Sequence, residues 1–227
     1  MRFRKPELIP LLFIIAAVAL FSAIGAWQVK RLAWKTHLLA HISRQQALPA
    51  LGTLPQNLSG LDYRNVKLTG IFLYNHTLRR AGGMQYEDPG FFLLTPFRLE
   101  DDGRIILVDR GFAPDGKAAT PPGAQTVAGV IRPLAERRIF SPDNAPGKNI
   151  WFYEDIPAMS KATGLALEPL MVEAVGERER GVYPIPSDGA IFIRDDHLQY
   201  AITWFALALI ALVMFGLYYR MPQKRVG

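Results

Sequence analysis

The sequence predicts a membrane protein with two transmembrane helices flanking a small β-rich domain of the α+β kind, an antiparallel barrel or roll with one short helix. Three observations predict it. Residues 8–27 and 200–219 are two apolar blocks without one charge. Each is about 20 residues long, the length at which a helix crosses roughly 30 Å of hydrocarbon. Between them the apolar period changes to two, with turn residues at hairpin spacing. Finally, roughly 130 residues of such pattern are enough for one hydrophobic core and too few for two.

The first block opens after Arg2, Arg4, Lys5 and Glu7, a tail of charge +2, and the second is followed by Arg220, Lys224 and Arg225, a tail of +3. With +6 over the whole chain, the middle carries only +1. The basic balance therefore describes two short tails and not a basic surface, which argues against a nucleic-acid partner. Basic tails favour the cytoplasmic side, so the expected topology has both termini inside and the middle segment translocated. Lys30, Arg31 and Lys35 at the outer end of the first span run against that rule, but they belong to a segment too long for it to weigh heavily. The first block is longer than the apolar core of a signal peptide, and its one small-x-small triplet, Ala17-Val18-Ala19, lies inside the run. The expected boundaries are thus a tail over 1–7, spans over 8–28 and 197–219, a juxtamembrane helix and linker over 29–62, the β-rich domain over 63–196, and a tail over 220–227. No cysteine is present, which removes disulfides, thiolate metal sites and c-type haem attachment.

Residues 28–46 hold few helix breakers and continue the first span as a helix out of the membrane. Pro49, Gly52, Pro55 and Gly60 make 48–61 a linker. Residues 65–72 alternate, and Gly70 within them is a bulge signal. Residues 90–99 and 104–112 are strand-like runs joined by Glu100-Asp101-Asp102-Gly103, a hairpin. Further strands are expected over 125–134, 167–175 and 190–193. A helix over 155–163 is expected to be capped by Asp155, with Pro157 in its first turn and Gly164 at its end. The spans have faces for close pairing: Ala16, Ala19, Ser22, Ala23 and Ala26 on the first, with Ala201, Ala208 and Ala211 on the second.

Signatures of enzymes are absent: there is no G-x-S-x-G, H-E-x-x-H, P-loop or G-x-G-x-x-G. No nucleophile–base pair stands out, so no enzyme activity is expected. Asp101-Asp102 serve a turn, His76 sits in another, and Asp109-Arg110 form a structural ion pair or a hydrogen-bonded strand end. Arg137-Arg138, Arg178 and Arg180 form a solvated face, and His37 and His41 are two solvated residues on one helix face. His197 is different. Asp196 and Gln199 stand in capping-box relation, which puts His197 in the first turn of the second span, with Tyr200 and Trp204 within about 60° of it on one face. On the first span Trp27, Arg31 and Trp34 share a stripe, and Gln28 and Arg31 would meet His197 at the outer interface. A histidine with aromatic walls and a nearby cation can hold a flat, anionic tetrapyrrole through its imidazole. An interfacial belt of Trp and Tyr with a comfortable polar histidine accounts for the same residues and is the simpler account of them.

Four stretches, taken in order, carry a family likeness. Trp27-Gln28-x-x-Arg31-x-x-Trp34-Lys35, Gly70-x-Phe72, Leu94-Thr95-Pro96-Phe97 with Ile106-Leu107-Val108-Asp109-Arg110-Gly111-Phe112, and His197-Leu198-Gln199-Tyr200-Ala201-Ile202-Thr203-Trp204-Phe205 resemble the Surfeit locus protein 1 (Shy-type) family of cytochrome c oxidase assembly proteins. The chain departs from the family pattern at Asp195-Asp196, where Asn is commoner before the histidine, and at Asp109 and Phe112, where the family shows Asn-Arg-Gly-Trp.

The resemblance implies a factor that assists haem a insertion into subunit I of a haem-copper cytochrome c oxidase, by binding or handing over haem a. His197 is then the candidate axial ligand, and Tyr200, Trp204, Trp27 and Arg31 the candidate pocket. Implied partners are oxidase subunit I, other oxidase assembly and haem a biosynthesis factors, and the membrane. Seven residues before the first span leave no room for a transit peptide, so the expected location is a bacterial inner membrane, the central domain periplasmic. A scaffold that holds a subunit I intermediate without binding haem is the alternative. A membrane-tethered sensor is disfavoured by the eight-residue tail after Tyr219.

Overall fold

A computed structural model of the chain describes residues 7–81, 89–135, 137–191 and 195–220. The elements in order are α1 (Leu8–Ala47), β1 (Asn65–Phe72), β2 (Leu78–Ala81), β3 (Gly90–Leu99), β4 (Ile105–Pro114), β5 (Gln125–Arg132), β6 (Ile150–Trp151), α2 (Ile156–Thr163), β7 (Leu167–Ala174) and α3 (His197–Arg220). They fall into two compact units, Met1–His41 with Phe192–Gly227, and Ile42–Ile191.

The first unit is helical. Both α1 and α3 are long and apolar enough to cross a membrane. In hydrocarbon every backbone amide has to be satisfied within its own segment, and a helix does that. Along α1 the less exposed positions include Leu11, Ile14, Val18, Phe21, Gly25, Gln28, Leu32 and Lys35, in alternating steps of three and four. On α3 they are His197, Ala201, Trp204, Ala208, Ala211 and Phe215, with the same spacing. That spacing marks one stripe along each helix, and the two stripes touch at a few points, which form a seam. Phe21 meets Trp204 at 5.7 Å between ring centroids. A Cβ on Gly25 would come within 2.9 Å of the Phe205 ring. Since Gln28 meets His197 and Phe21 meets Trp204, the helices run antiparallel. The alanines of α3 lie on the seam as expected, but Ala16, Ala19, Ala23 and Ala26 of α1 are exposed. Of the small residues expected on α1 only Ser22 is half-buried, and Gly25 is the small residue that meets α3, against the Phe205 ring.

The second unit is a barrel. β1 pairs with β5, β5 with β7, β7 with β4, β4 with β3, and β3 returns to β1, which closes a ring of five strands. All of these pairs are antiparallel except β4–β7, which is parallel. Closure depends on β1, whose first six residues pair with β5 while Gly70, Ile71 and Phe72 pair with β3. Gly70 is therefore a crossing point and not a bulge: a Cβ there would stand 2.2 Å from the Arg98 carbonyl oxygen. Register irregularities lie instead between Phe92 and Leu94 of β3 and between Ile105 and Leu107 of β4. The short strands β2 and β6, which have no clear sequence signal, extend the sheet from β3.

Alternate residues of β4 feed two cores. Ile106 and Val108 join Val66, Leu68, Phe97 and Val172 in one. Leu107 joins Leu94, Trp151, Ile156 and Met159 in the other, under α2. Covered on both faces, β4 reads in sequence as a continuous apolar run and not as an alternation. Helix α2 forms as its sequence predicts: Asp155 caps it by accepting from Ala158 N–H at 3.0 Å, Pro157 stands in its first turn and Gly164 ends it at φ +70°. The expected strand over 190–193 is not seen at Ala190 and Ile191, and Phe192 and Ile193 lie outside the described residues.

Trp151 is fully buried and donates its indole N–H to Asn149 Oδ1 at 3.1 Å. Trp151→Ala is expected to cost about 3–5 kcal/mol. A fall of about 10 °C in the thermal midpoint of the detergent-purified protein corresponds to that cost, and circular dichroism melts measure it.

Candidate functional site

His197 begins α3, and its backbone N–H donates to Asp195 Oδ1 at 3.1 Å. The N–H of Tyr200 donates to the Asp196 carbonyl at 3.1 Å, closing the first turn. The imidazole projects along the seam, where its Nδ1 donates to Oε1 of Gln28 at 2.7 Å. Gln28 is buried, and this bond satisfies its carbonyl. The other ring nitrogen, Nε2, has no hydrogen-bond partner among the described residues.

Trp27, next to Gln28, sets its ring edge-on to the imidazole, at 6.5 Å between centroids and 86° between planes. One turn further along α1, Arg31 lies between two indoles, 5.5 Å from the Trp27 ring and 5.8 Å from that of Trp34. Both indoles are more than half solvent-accessible, or at that boundary, at 50% and 58%. The two planes hold the long arginine side chain while its guanidinium keeps access to an anion.

Of the five residues expected at the site, the structure brings together His197, Trp27 and Arg31. Trp204 packs on Phe21, because seven residues along a helix is two turns, about 10 Å from His197. Tyr200 is exposed and makes no ring contact with His197 among the described residues. Gln28, which the sequence places with Arg31 opposite His197 at the outer interface, does meet the imidazole. Its signal is an amide on the apolar seam, seven residues before the buried Lys35. His37 and His41 gain no third ligand, since no metal-binding group of three His, Cys, Asp or Glu exists among the described residues.

A second polar cluster belongs to the barrel. Asp109 does not sit at a strand end but in the middle of β4. Its Oδ2 accepts from Arg80 at 2.6 Å and its Oδ1 from Gly111 N–H at 2.9 Å. Arg80 also stands 3.3 Å from Glu154 Oε1 and 4.8 Å over the Phe92 ring. Arg132 pairs with Glu173 on the neighbouring strands. A cleft of about 950 Å³ opens here, with Arg80, Asp109, Glu173 and Ser187 among its lining residues. Burial pushes the Asp109 carboxyl above its ordinary range, and Arg80 and the Gly111 N–H oppose that push. Arg110 points to the other side of the strand, where it stacks on Phe72 and Tyr74 and donates to the Ala119 carbonyl. Its burial lowers its pKa. The Tyr74 hydroxyl donates to Pro121 O at 3.1 Å, so the pair fastens the β4–β5 connection.

Comparison with known proteins finds a family model described as the SURF1 family matching residues 15–209. The chain is 33% identical over 218 residues to Surfeit locus protein 1 of Rattus norvegicus, covering 86% of this chain and 71% of the relative. It is 34% identical to the Homo sapiens protein of that name, over 82% of this chain and 69% of the relative. It is also 34% identical to a SURF1-like protein of Rickettsia conorii, over 87% and 86% of the two chains.

The Asp109 cluster gives a pH dependence with a definite sign. A carboxyl whose folded pKa lies above its unfolded value, about 3.9, holds its proton in the folded state to higher pH. Its contribution is full below the unfolded value and is lost as pH rises through the folded one. The wild type is therefore expected to lose thermal stability relative to Asp109→Asn as the pH is raised from about 4 to about 8. A difference in melting midpoint that stays constant over that range would show an ordinary carboxyl at Asp109.

Proposed function

The chain belongs to the SURF1 family, and from that premise we propose that it is a non-catalytic assembly factor for haem-copper cytochrome c oxidase, assisting haem a insertion into subunit I by binding and handing over haem a. The observation that carries this reading is the state of His197: one imidazole nitrogen is held by Gln28 while the other keeps its lone pair without a hydrogen-bond partner among the described residues. Ligating histidines are held in this way, the far nitrogen bonded to a carbonyl or carboxylate so that the near one faces the metal.

The other residues fit the same group. Haem a, when bound, would supply an iron that an imidazole nitrogen can ligate and anionic propionates that a guanidinium can meet. His197 Nε2 would take the axial position, the indole of Trp27 would wall one side, and Arg31 would meet a propionate. Neither a nucleophile nor a base is needed, because the task is to hold and release. In this reading the protein sits in a bacterial inner membrane with both termini cytoplasmic and the barrel periplasmic. It works beside oxidase subunit I and the haem a biosynthesis factors. A second reading, a scaffold for a subunit I intermediate without haem, is favoured by Ile139 and Phe140, two bulky apolar side chains that are 92% and 96% exposed in the barrel unit.

The test is a visible spectrum of the detergent-purified protein co-expressed with the haem a biosynthetic enzymes, beside His197→Ala. The reading expects a haem a band in the wild type that the variant lacks. A colourless wild type from membranes that contain haem a would overturn it in favour of the scaffold. Ile139→Asp with Phe140→Asp is then expected to abolish co-purification of subunit I.

A further inference from the structure

We propose that Gln28 is a positioning residue for His197: its side-chain carbonyl fixes the imidazole proton on Nδ1 and so decides that Nε2 is the nitrogen offered to a metal. The inference rests on the haem reading for the identity of that metal, but not for the geometry.

A neutral imidazole carries one proton and can place it on either nitrogen. In water the proton prefers Nε2, which would leave the lone pair on Nδ1, close to the backbone of the residue's own helix turn. Here Nδ1 lies 2.7 Å from Oε1 of Gln28, an oxygen with no proton to give, so the proton has to be on Nδ1. Alternative proton donors and acceptors around the ring are few. Asp195 spends its Oδ1 on the His197 backbone N–H, and Asp196 offers its carbonyl to Tyr200. Arg31 is engaged with the faces of Trp27 and Trp34. The amide of Gln28 is the partner that the imidazole has.

Gln28 is itself held in place. It is buried on the seam between Gly25 and Leu32, and its acceptor faces α3 from the middle of a forty-residue helix. An acceptor on a rigid helix sets both the tautomer and the ring plane, and it also makes the imidazole a better donor of electrons to a metal. Loss of such an outer partner lowers metal-site affinity ten- to a hundredfold in comparable arrangements.

Two variants of the full-length chain test this. Gln28→Leu keeps the side-chain bulk and removes the acceptor. Gln28→Glu keeps the acceptor and strengthens it. In the protein without haem, ¹⁵N NMR of histidine-labelled protein is expected to show the Nδ1–H form of His197 in the wild type and in Gln28→Glu, and its loss in Gln28→Leu. In protein loaded with haem a, affinity is expected to fall ten- to a hundredfold in Gln28→Leu. Gln28→Glu is expected to retain haem with a lower reduction potential, a shift that a merely structural role for the amide would not give. An Nε2–H form in the wild type, or an unchanged tautomer in Gln28→Leu, overturns the inference whether or not haem binds. If Gln28→Leu does not fold, the wild-type tautomer and the potential of Gln28→Glu decide. A wild type that shows the Nδ1–H form and takes up no haem a keeps Gln28 as the positioning residue and removes the haem reading instead.

Discussion

Every backbone amide has to find a partner, and the two units of this chain meet that constraint in opposite ways. In α1 and α3 each amide is satisfied within its own segment, which is what a helix in hydrocarbon requires. The barrel satisfies its amides between segments, and so it has to close. Closure rests on an eight-residue strand, β1, that pairs with β5 over most of its length and hands over to β3 at Gly70. Only a residue without a Cβ passes that close to the Arg98 carbonyl. Once the ring is closed, β4 is covered on one side by its interior and on the other by α2. Anything polar on β4 then has to be satisfied within the protein, which is why Asp109 comes with Arg80 and the Gly111 N–H.

The helical unit shows how a polar site is built where the hydrophobic effect does no work. Lipid tails are as apolar as leucine, so helices associate through close packing and interhelical hydrogen bonds. The seam uses both. Phe21 on Trp204 and the Phe205 ring against Gly25 supply packing, and Gln28 with His197 supplies the hydrogen bond. The same residues that dock the helices hold the imidazole, so the site needs no loop to shape it. Its remaining parts, Trp27, Arg31 and Trp34, share one exposed stripe of α1 and are positioned by helical spacing alone.

What was legible in the sequence follows from the range of the forces involved. Span lengths, the hairpin at 100–103, the cap of α2 and the strands over 65–72 and 90–99 depend on local residues, and local patterns reveal them. Strands β2 and β6 are four and two residues long and owe their form to β3 and to each other, so no period announces them. The packing face of α1 was misjudged for a related reason. Alanines mark a close-packing face when both partners use them, whereas here the less exposed alanines are those of α3, and α1 contributes Gly25 against the Phe205 ring. At the site, helical spacing found the stripe of Trp27 and Arg31. It overreached at Trp204, which shares a face with His197 in angle but stands two turns away in height. The meeting of Gln28 with His197 was legible as well, since two paired spans bring their outer polar residues together; the atoms that face each other were not, because they depend on how the two helices lie side by side.

The two polar clusters also differ in what their partners leave over. Asp109 has both oxygens engaged, one by a guanidinium and one by a backbone amide, inside a protein interior that penalises its charge. A group so occupied holds strands together. His197 has one nitrogen engaged by an uncharged amide, which fixes the ring without spending the second lone pair. Its neighbours are an indole edge and a cation held between two flat rings, neither of which competes for that lone pair. An imidazole needed only for helix docking would be served by its bond to Gln28 alone. The indole of Trp27 also touches the imidazole across the two helices, and Arg31 beside it sets a cation on the same stripe. One cluster therefore leaves a ring nitrogen without a partner among the described residues, while the other has both carboxylate oxygens engaged.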